Sequence, residues 1–520
     1  MLKSSGAMAG ATMTSRVLGL GRDMVYAAFM DSSWVASAFL MAFMVPNLFR
    51  RLLGEGALTA AFIPIFKSKQ VTEGETETWR CANAVISGLL VSTAAVTVLA
   101  VIGISAVLGF GQLAAGTDLM LRLLRVMFPY VLLVCLAATL IGMANARGYF
   151  FVPTLGASIL NVVMIGTVLF VAPRMGRTLD RQVFALAIGV LVAGVAQVFF
   201  QTPLLRREGF RFRWVSPWRE PAVHEVLRKM IPGSIGVAAF QINVLLIQCF
   251  AYWFRPSIVS NFYYSVRLME LPQGLFGISL ATYLLPALSG LAAKKEYGEF
   301  RSTLRQGLGH LAFANLLATA IAISLAEPIV RLLFERGRFG PSSTHRVAIS
   351  LACLAPGLVM FSSTNILARA FYALNDIKTP MKISIFCLTL NLGLALWLVQ
   401  DYWEAGLGIA NTLSACCNVG LLLYALRRKL RFLGLSSLWR DIAAMAPLAV
   451  IAGMVAGVLS WLWQRSLGHS SLALKAGQVF VPVVVAGAFY SLAAYALKVP
   501  SAREVAGLVL RRFAGESRTG

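Results

Sequence analysis

Charged side chains are scarce in this sequence. They make up 13% of its 520 residues, against roughly 25% in a soluble domain, which leaves too little polar surface to face water on all sides. Acids are scarcer still, 22 Asp+Glu against 46 Lys+Arg. Seven cysteines (Cys81, Cys135, Cys249, Cys353, Cys387, Cys416 and Cys417) lie scattered along apolar segments and form no C-x-x-C pair, a pattern that supports neither a disulfide framework nor a zinc site. The four histidines are far apart and have no ligand spacing. No metal and no cofactor is expected. Strict polar/apolar alternation over about ten residues is missing as well, so a β-barrel is excluded.

What is present is apolar sequence: 58% of residues are hydrophobic and the mean hydropathy is +0.75. Apolar runs long enough to cross the roughly 30 Å hydrocarbon core recur from end to end. Without strands to close a barrel, only helices can satisfy the backbone there. Windows between charged or Pro/Gly-rich breaks predict 14 transmembrane helices at 8–30, 34–66, 83–110, 120–146, 153–172, 183–205, 224–254, 258–290, 307–330, 346–374, 380–400, 405–427, 440–463 and 473–497. The second, seventh and eighth exceed a straight span, and Pro46 and Pro272 lie inside two of them, which predicts kinks or tilts. Arg16 and Arg22 interrupt the first run and no A-x-A site follows, so that run is expected to stay attached rather than act as a cleaved signal.

The basic residues orient these helices. With the N-terminus inside, inner segments hold 28 Lys/Arg and outer segments 10, which predicts both termini in the cytoplasm. The densest inner stretches are Arg206 to Lys229 and Arg427 to Arg440, and an acidic loop with Asp401 and Glu404 is expected outside. The excess of cations is expected against anionic membrane lipids. Nucleic acid is not an expected partner, because no soluble domain presents the charge.

An internal repeat at an offset of 227 residues carries Pro129 onto Pro356 and Pro153 onto Pro380, each pair flanking a short link: Asn145 to Val152 in one copy and Tyr372 to Thr379 in the other. The same offset carries the start of the first helix onto the seventh. Six helices per copy give both halves one orientation, a parallel repeat. The expected architecture is an all-α polytopic membrane protein: an N-lobe of helices 1–6 (1–223), a C-lobe of helices 7–12 (224–432), and helices 13–14 with a cytoplasmic C-terminus (433–520). Helix 13 contains Gly453-Met-Val-Ala-Gly457, a spacing that permits close helix packing.

With residues at span edges counted among the flanking inner and outer segments, eight Lys/Arg remain assigned to the spans. Arg125, Arg331 and Arg369 are near helix ends, where snorkelling is cheap. Arg16, Arg22, Arg50, Arg51 and Arg267 are deep, and a mid-span arginine costs about 2.5–3.5 kcal/mol on the translocon scale. Internal neutralisation accounts for part of this: Asp23 adjoins Arg22, Glu55 is i+4 from Arg51, and Glu270 is i+3 from Arg267. Five cations against three carboxylates leave a positive excess. Guanidinium forks suit phosphate oxygens, and several together suit a polyanion. Gly19 and Gly21 are expected to loosen helix 1 so that Arg16 and Arg22 reach one cavity. An exporter of cationic drugs would need the opposite charge.

The segments Ser15 to Asp23, Pro46-Asn47-Leu-Phe-Arg50-Arg51 with Glu55-Gly56-Ala57, Ala61-Phe-Ile-Pro64, Arg267-Leu-Met-Glu270-Leu-Pro272-Gln-Gly274 and Asn375-Asp376-Ile-Lys378-Thr-Pro380 resemble the MurJ (MviN) lipid II flippases, in order along nearly the whole chain. The resemblance implies the fold of the multidrug/oligosaccharidyl-lipid/polysaccharide exporter superfamily, with a groove for a polyprenyl tail at helices 13 and 14. It implies a transporter rather than an enzyme, in the bacterial inner membrane, moving lipid II outward for peptidoglycan synthesis, with cell-wall synthases as potential partners. It implies that Arg16, Arg22, Arg50 and Arg267 engage the pyrophosphate while Asn47, Asp23, Glu55 and Glu270 shape the cavity. The chain departs from the family at Ser37 and Val266, and it lacks carboxylates in Gln241 to Trp253 and Lys382 to Gln400. That weighs against sodium coupling and for membrane potential or protons. The rival reading is an exporter of another polyprenyl-pyrophosphate-linked oligosaccharide, of the O-antigen type.

Overall fold

The computed structural model describes residues 2–52 and 57–504, with the side chains of all but 2–9, 11, 12, 57, 59, 60, 157, 232–237 and 239. Among these residues there is no strand. In chain order the helices are α1 (Leu2–Met30), α2 (Trp34–Phe49), α3 (Ala57–Thr72), α4 (Gly74–Phe110), α5 (Ala115–Met127), α6 (Tyr130–Ala146), α7 (Phe151–Gly166), α8 (Leu179–Arg207) and α9 (Pro221–Phe254), followed by α10 (Ser257–Pro272), α11 (Ser279–Ala293), α12 (Tyr297–Ser324), α13 (Ala326–Phe334), α14 (Pro341–Leu354), α15 (Gly357–Ala373), α16 (Lys378–Leu430), α17 (Leu435–Ser466) and α18 (Leu472–Ala496). Packing divides them into two compact units, Met1–Ser260 with Arg336–Phe339, and Asn261–Glu335 with Gly340–Gly520. In the first, α9 packs on α2, α3 and α4. This packing boundary at 260/261 is a different division from the repeat boundary expected at 223/224.

Nine described helical stretches are long and apolar enough to cross a membrane, and eleven when each bent pair counts as one span. Their solvent-facing sides are apolar too: Val98, Leu99 and Ile102 of α4 are all exposed, which suits lipid and not water. The expected count of fourteen further requires α1, α9 and a division of α16. The spans expected at 380–400 and 405–427 both fall in α16, which breaks at Trp403 (φ 50°, ψ −125°) instead of opening into a loop. Glu404, expected in an outer acidic loop, is buried there and accepts a hydrogen bond from Asn261 Nδ2 at 3.2 Å.

The repeated prolines have matching consequences. Pro129 separates α5 from α6 and Pro356 separates α14 from α15, and both pairs bend by 47°. A prolyl nitrogen cannot donate to the preceding turn, and its ring crowds the i−4 carbonyl. Pro153 and Pro380 occupy the first turns of α7 and α16, where the missing N–H costs nothing. Between them Gly148 (φ 89°) and Asn375 (φ 56°), again 227 apart, take left-handed turns, which glycine and asparagine tolerate best.

Of the two expected kinks, the one at Pro272 is realised as a π-helical segment, Gln273–Ile278, joining α10 to α11 in one stretch. Near Pro46 the helix continues, and π geometry falls one turn later, at 50–52. In the second unit Gly453 sets α17 against α12: a Cβ there would lie 3.1 Å from Ala320 Cβ, and one at Gly457 would lie 3.7 Å from Ser324 Cβ. The small-residue spacing is therefore a helix–helix contact, Gly453/Gly457 on Ala320/Ser324, both pairs at i, i+4.

Candidate substrate site

In the first unit α1 runs unbroken through Gly19 and Gly21, so the expected loosening is not present. Gly19 instead faces α7, where Asn161 Nδ2 donates to the Ser15 carbonyl at 3.3 Å. Residues six apart on a straight helix point about 120° apart, and the two arginines differ accordingly. Arg16 is exposed, while Arg22 is buried at 7% exposure beside Asp23 at 2%. Arg22 Nη2 and Nε donate to Asp23 Oδ1 at 2.8 and 3.1 Å, and the guanidinium lies 5.4 Å from the Tyr26 ring. Phe39 of α2 meets Tyr26 edge-on at 5.7 Å. A buried, charge-assisted pair of this kind is held in one geometry by its apolar surround.

The C-terminal end of α2 supplies the second group. Arg50 Nε donates to Asn47 Oδ1 at 2.8 Å, an i, i−3 contact that orients the guanidinium through an amide. Arg51 is exposed and reaches Gln241 Oε1 of α9 at 3.5 Å. Glu55, expected to pair with it, lies outside the described residues. Ser37, noted as a departure from the family, ties α2 to the start of α10: its Oγ donates to Ser260 Oγ at 3.0 Å and accepts from the Ser260 N–H at 3.1 Å.

In the second unit Arg267 of α10 donates from Nη1 to Glu270 Oε2 at 2.7 Å and from Nη2 to the Tyr263 hydroxyl at 3.2 Å. The expected i+3 pair is formed. Arg267 is half-buried and Glu270 exposed, so solvent screens the pair. Arg331, expected to snorkel, is buried and paired instead, with Glu327 at 2.5 Å and Glu335 at 3.5 Å. Glu335 also accepts from Thr344 Oγ1 and pairs with Lys475 of α18. Among the described residues no group of three His, Cys, Asp or Glu side chains is arranged to hold a metal.

Sequence reasoning passed over one further cluster. Arg147, in the link between α6 and α7, makes a bidentate pair with Glu75 and lies 4.0 Å from Glu208. Its guanidinium stacks 4.5 Å from the Trp79 ring. The Tyr149 hydroxyl donates to Glu208 Oε1 at 2.7 Å. The Arg147 bonds hold the Glu75 carboxyl below its ordinary range, and the Glu208 bond pushes the Tyr149 phenol up. In the second unit the equivalent link places Asp376 on Lys429 at 2.7 Å. That contact and Thr379 hold the Asp376 carboxyl low. The signal available in the sequence was the offset itself, which carries Tyr149 onto Asp376.

Comparison with known proteins gives a consistent family. The family model described as lipid II flippase MurJ matches residues 26–476. A probable lipid II flippase MurJ of Vibrio cholerae is 34% identical over 475 residues, 89% of each chain. The lipid II flippase MurJ of Burkholderia cenocepacia is 33% identical, covering 81% of this chain and 83% of that protein. Among solved structures, lipid II flippase MurJ in an inward closed conformation superposes with a TM-score of 0.75 at 21% identity, over 94% of this chain and 99% of that one. An inward-facing multidrug-resistance MATE transporter of the MOP superfamily superposes with a TM-score of 0.64 at 14% identity, over 82% and 98%. Both structural likenesses concern the fold.

Proposed function

The chain belongs to the lipid II flippase MurJ family, and we propose that it carries lipid II from the inner to the outer leaflet of the bacterial cytoplasmic membrane for cell-wall synthesis. Arg16, Arg22, Arg50 and Arg267 engage the pyrophosphate, and Asn47, Asp23, Glu55 and Glu270 shape the cavity. The observation that carries this assignment of residues is the way the arginines are held: Arg22 is buried on one carboxylate and Arg50 is aimed by an amide. Arginine retained in a span at such a cost marks a substrate pathway.

The lobes, 1–223 and 224–432, alternate access by rocking, with the polyprenyl tail remaining in lipid. Both termini are cytoplasmic, and the excess of cations rests against anionic headgroups. The membrane potential, about 2.3 kcal/mol per charge per 100 mV, returns the empty cationic state inward. Cell-wall synthases receive the product.

The test is depletion of the protein in its host with leaflet-resolved measurement of lipid II. Accumulation in the inner leaflet, relieved by the native chain but not by stably expressed Arg50→Ala or Arg267→Ala, is the expected result. Full rescue by Arg50→Ala would sink the anion site. Unchanged lipid II with inner-leaflet accumulation of another lipid-linked sugar would pass the substrate to the O-antigen type.

A further inference from the structure

The C-terminal end of α16 carries Tyr424, Arg427 and Arg428 at i, i+3 and i+4, which places these side chains on one helix face, and Arg431 follows directly after the helix. All four are exposed. Two adjoining clefts open on this face, of about 370 and 330 Å³, and Tyr424 and Arg428 line both. The first has the half-buried Ala425 as its accessible apolar surface, with Asp376, Thr379 and Lys429 at its polar side, and Arg427 and Arg431 line the second.

The charge here is uncompensated. Lys429 is taken by Asp376, but among the described residues no ion pair engages Arg427, Arg428 or Arg431. Arg428 instead lies 5.9 Å from the Tyr424 ring. Like charges crowded within one turn repel one another, and this end of the helix keeps three arginines.

Arg431 adds a second cost. It sits at φ 61°, ψ −32°, a left-handed conformation that a residue with a Cβ adopts unfavourably. Such strain persists where the surroundings impose it, often at ligand sites. The turn is held from α12, whose Arg301 donates to the Phe432 carbonyl at 3.1 Å. A glycine would make this turn without strain but would remove a guanidinium from the second cleft.

Three planar forks around one hollow suit the non-bridging oxygens of a phosphate. The half-buried Ala425 and the Tyr424 phenol ring beside them suit an amphiphile rather than a free ion, and α16 is long and apolar enough to cross a membrane, which would bring its basic end to the headgroup layer. We propose that this face binds the phosphodiester headgroup of an anionic phospholipid, with the phosphate among Arg427, Arg428 and Arg431 and the glycerol–acyl region on Ala425 and the Tyr424 ring. The proposal rests on the membrane topology above and not on the identity of the transported lipid.

Full-length protein in detergent is titrated with phosphatidylglycerol and with phosphatidylcholine, and bound lipid is counted by native mass spectrometry. Phosphatidylglycerol is expected to be preferred. R427Q/R428Q/R431Q should bind it roughly 100-fold more weakly, about fivefold per guanidinium removed. R431G should lose about fivefold while unfolding no earlier than the native chain, so its effect cannot be misfolding. The charge-matched R211Q/R213Q/R219Q, in the link between α8 and α9, should change binding little. An equal loss in that control would reduce the site to bulk charge, displacement of the lipid by inorganic phosphate would make it a soluble-phosphate site, and equal binding of phosphatidylcholine would remove the phosphate role; each overturns the proposal. Lipid II distribution in the Arg50→Ala strain reads the flippase assignment separately.

Discussion

Arg147→Ala tests whether the link between α6 and α7 clamps one end of the first unit. The Arg147 side chain is 9% accessible and its partner Glu75 is 54% accessible. A bidentate, charge-assisted contact contributes about 1.5–3 kcal/mol when desolvated, and the exposed Glu75 carboxylate brings that to about 1 kcal/mol. Stacking on Trp79 adds about 1 kcal/mol. Arg147→Ala is therefore expected to destabilise by about 2 kcal/mol. Glu75→Gln should remove the ionic half alone, about 1 kcal/mol, and a double-mutant cycle should return a coupling of about 1 kcal/mol. Thermal unfolding of the purified protein in one detergent, followed by tryptophan fluorescence, reads all four members of the cycle. The depressed Glu75 pKa gives the coupling a sign in pH. It is fully present above the ordinary glutamate value of about 4.3 and is lost as pH falls through the lowered folded-state value. An Arg147→Ala effect below about 0.5 kcal/mol, or a coupling that persists unchanged in acid, would refute the reasoning.

Gly453→Leu should force α17 off α12, because even a Cβ meets Ala320 Cβ and O at 3.1 and 3.2 Å; a loss of roughly 1–3 kcal/mol is expected in the same unfolding assay, whereas Gly457→Ala, whose Cβ would make ordinary contact 3.7 Å from Ser324 Cβ, should be near neutral. In the second unit Asp376→Asn should lower stability at neutral pH and converge with the native chain in acid. The carboxyl is held low by Lys429 and Thr379, so its contribution is present above about 3.9 and disappears as pH falls through the folded-state value. A constant difference between the two proteins across that range would count against the ion pair.

The sequence carried the helices well because membrane insertion leaves so few alternatives: an apolar run of sufficient length must become a helix. Pro272 was readable for a similar local reason, since a missing N–H acts within one turn, whereas the helix runs on through Pro46 and the bend at Pro356 was not foreseen. Adjacent charges were legible at i+1 and i+3, as Arg22–Asp23 and Arg267–Glu270 show. What escaped was set by partners distant in sequence. Glu404 read as a loop acid, yet Asn261 meets it 143 residues away. Arg331 read as a snorkelling end, yet it is buried on Glu335, which Lys475 of another helix also engages. Gly19 read as a hinge because nothing local reveals Asn161 packed against it. Periodicity reports what a helix can bury, and only packing decides which helix it meets.

The two links of the repeat show what such a pattern preserves. Gly148 and Asn375 make the same left-handed turn, and the prolines before them produce the same 47° bend. In each unit the residue after that turn is bonded to the last turn of a helix or the residue just beyond it: Tyr149 to Glu208 past α8, and Asp376 to Lys429 in α16. The chemistry is reversed, since one link donates to an acid and the other offers an acid to an amine. Backbone geometry at this joint is therefore under tighter physical constraint than side-chain identity, because any hydrogen-bonded pair of the right length closes it while only a tolerant residue makes the turn. It follows that exchanging the polarity of one clasp, Asp376→Lys with Lys429→Asp, should restore most of the stability that either single substitution removes, whereas a β-branched residue at Asn375 should not be rescued by any partner.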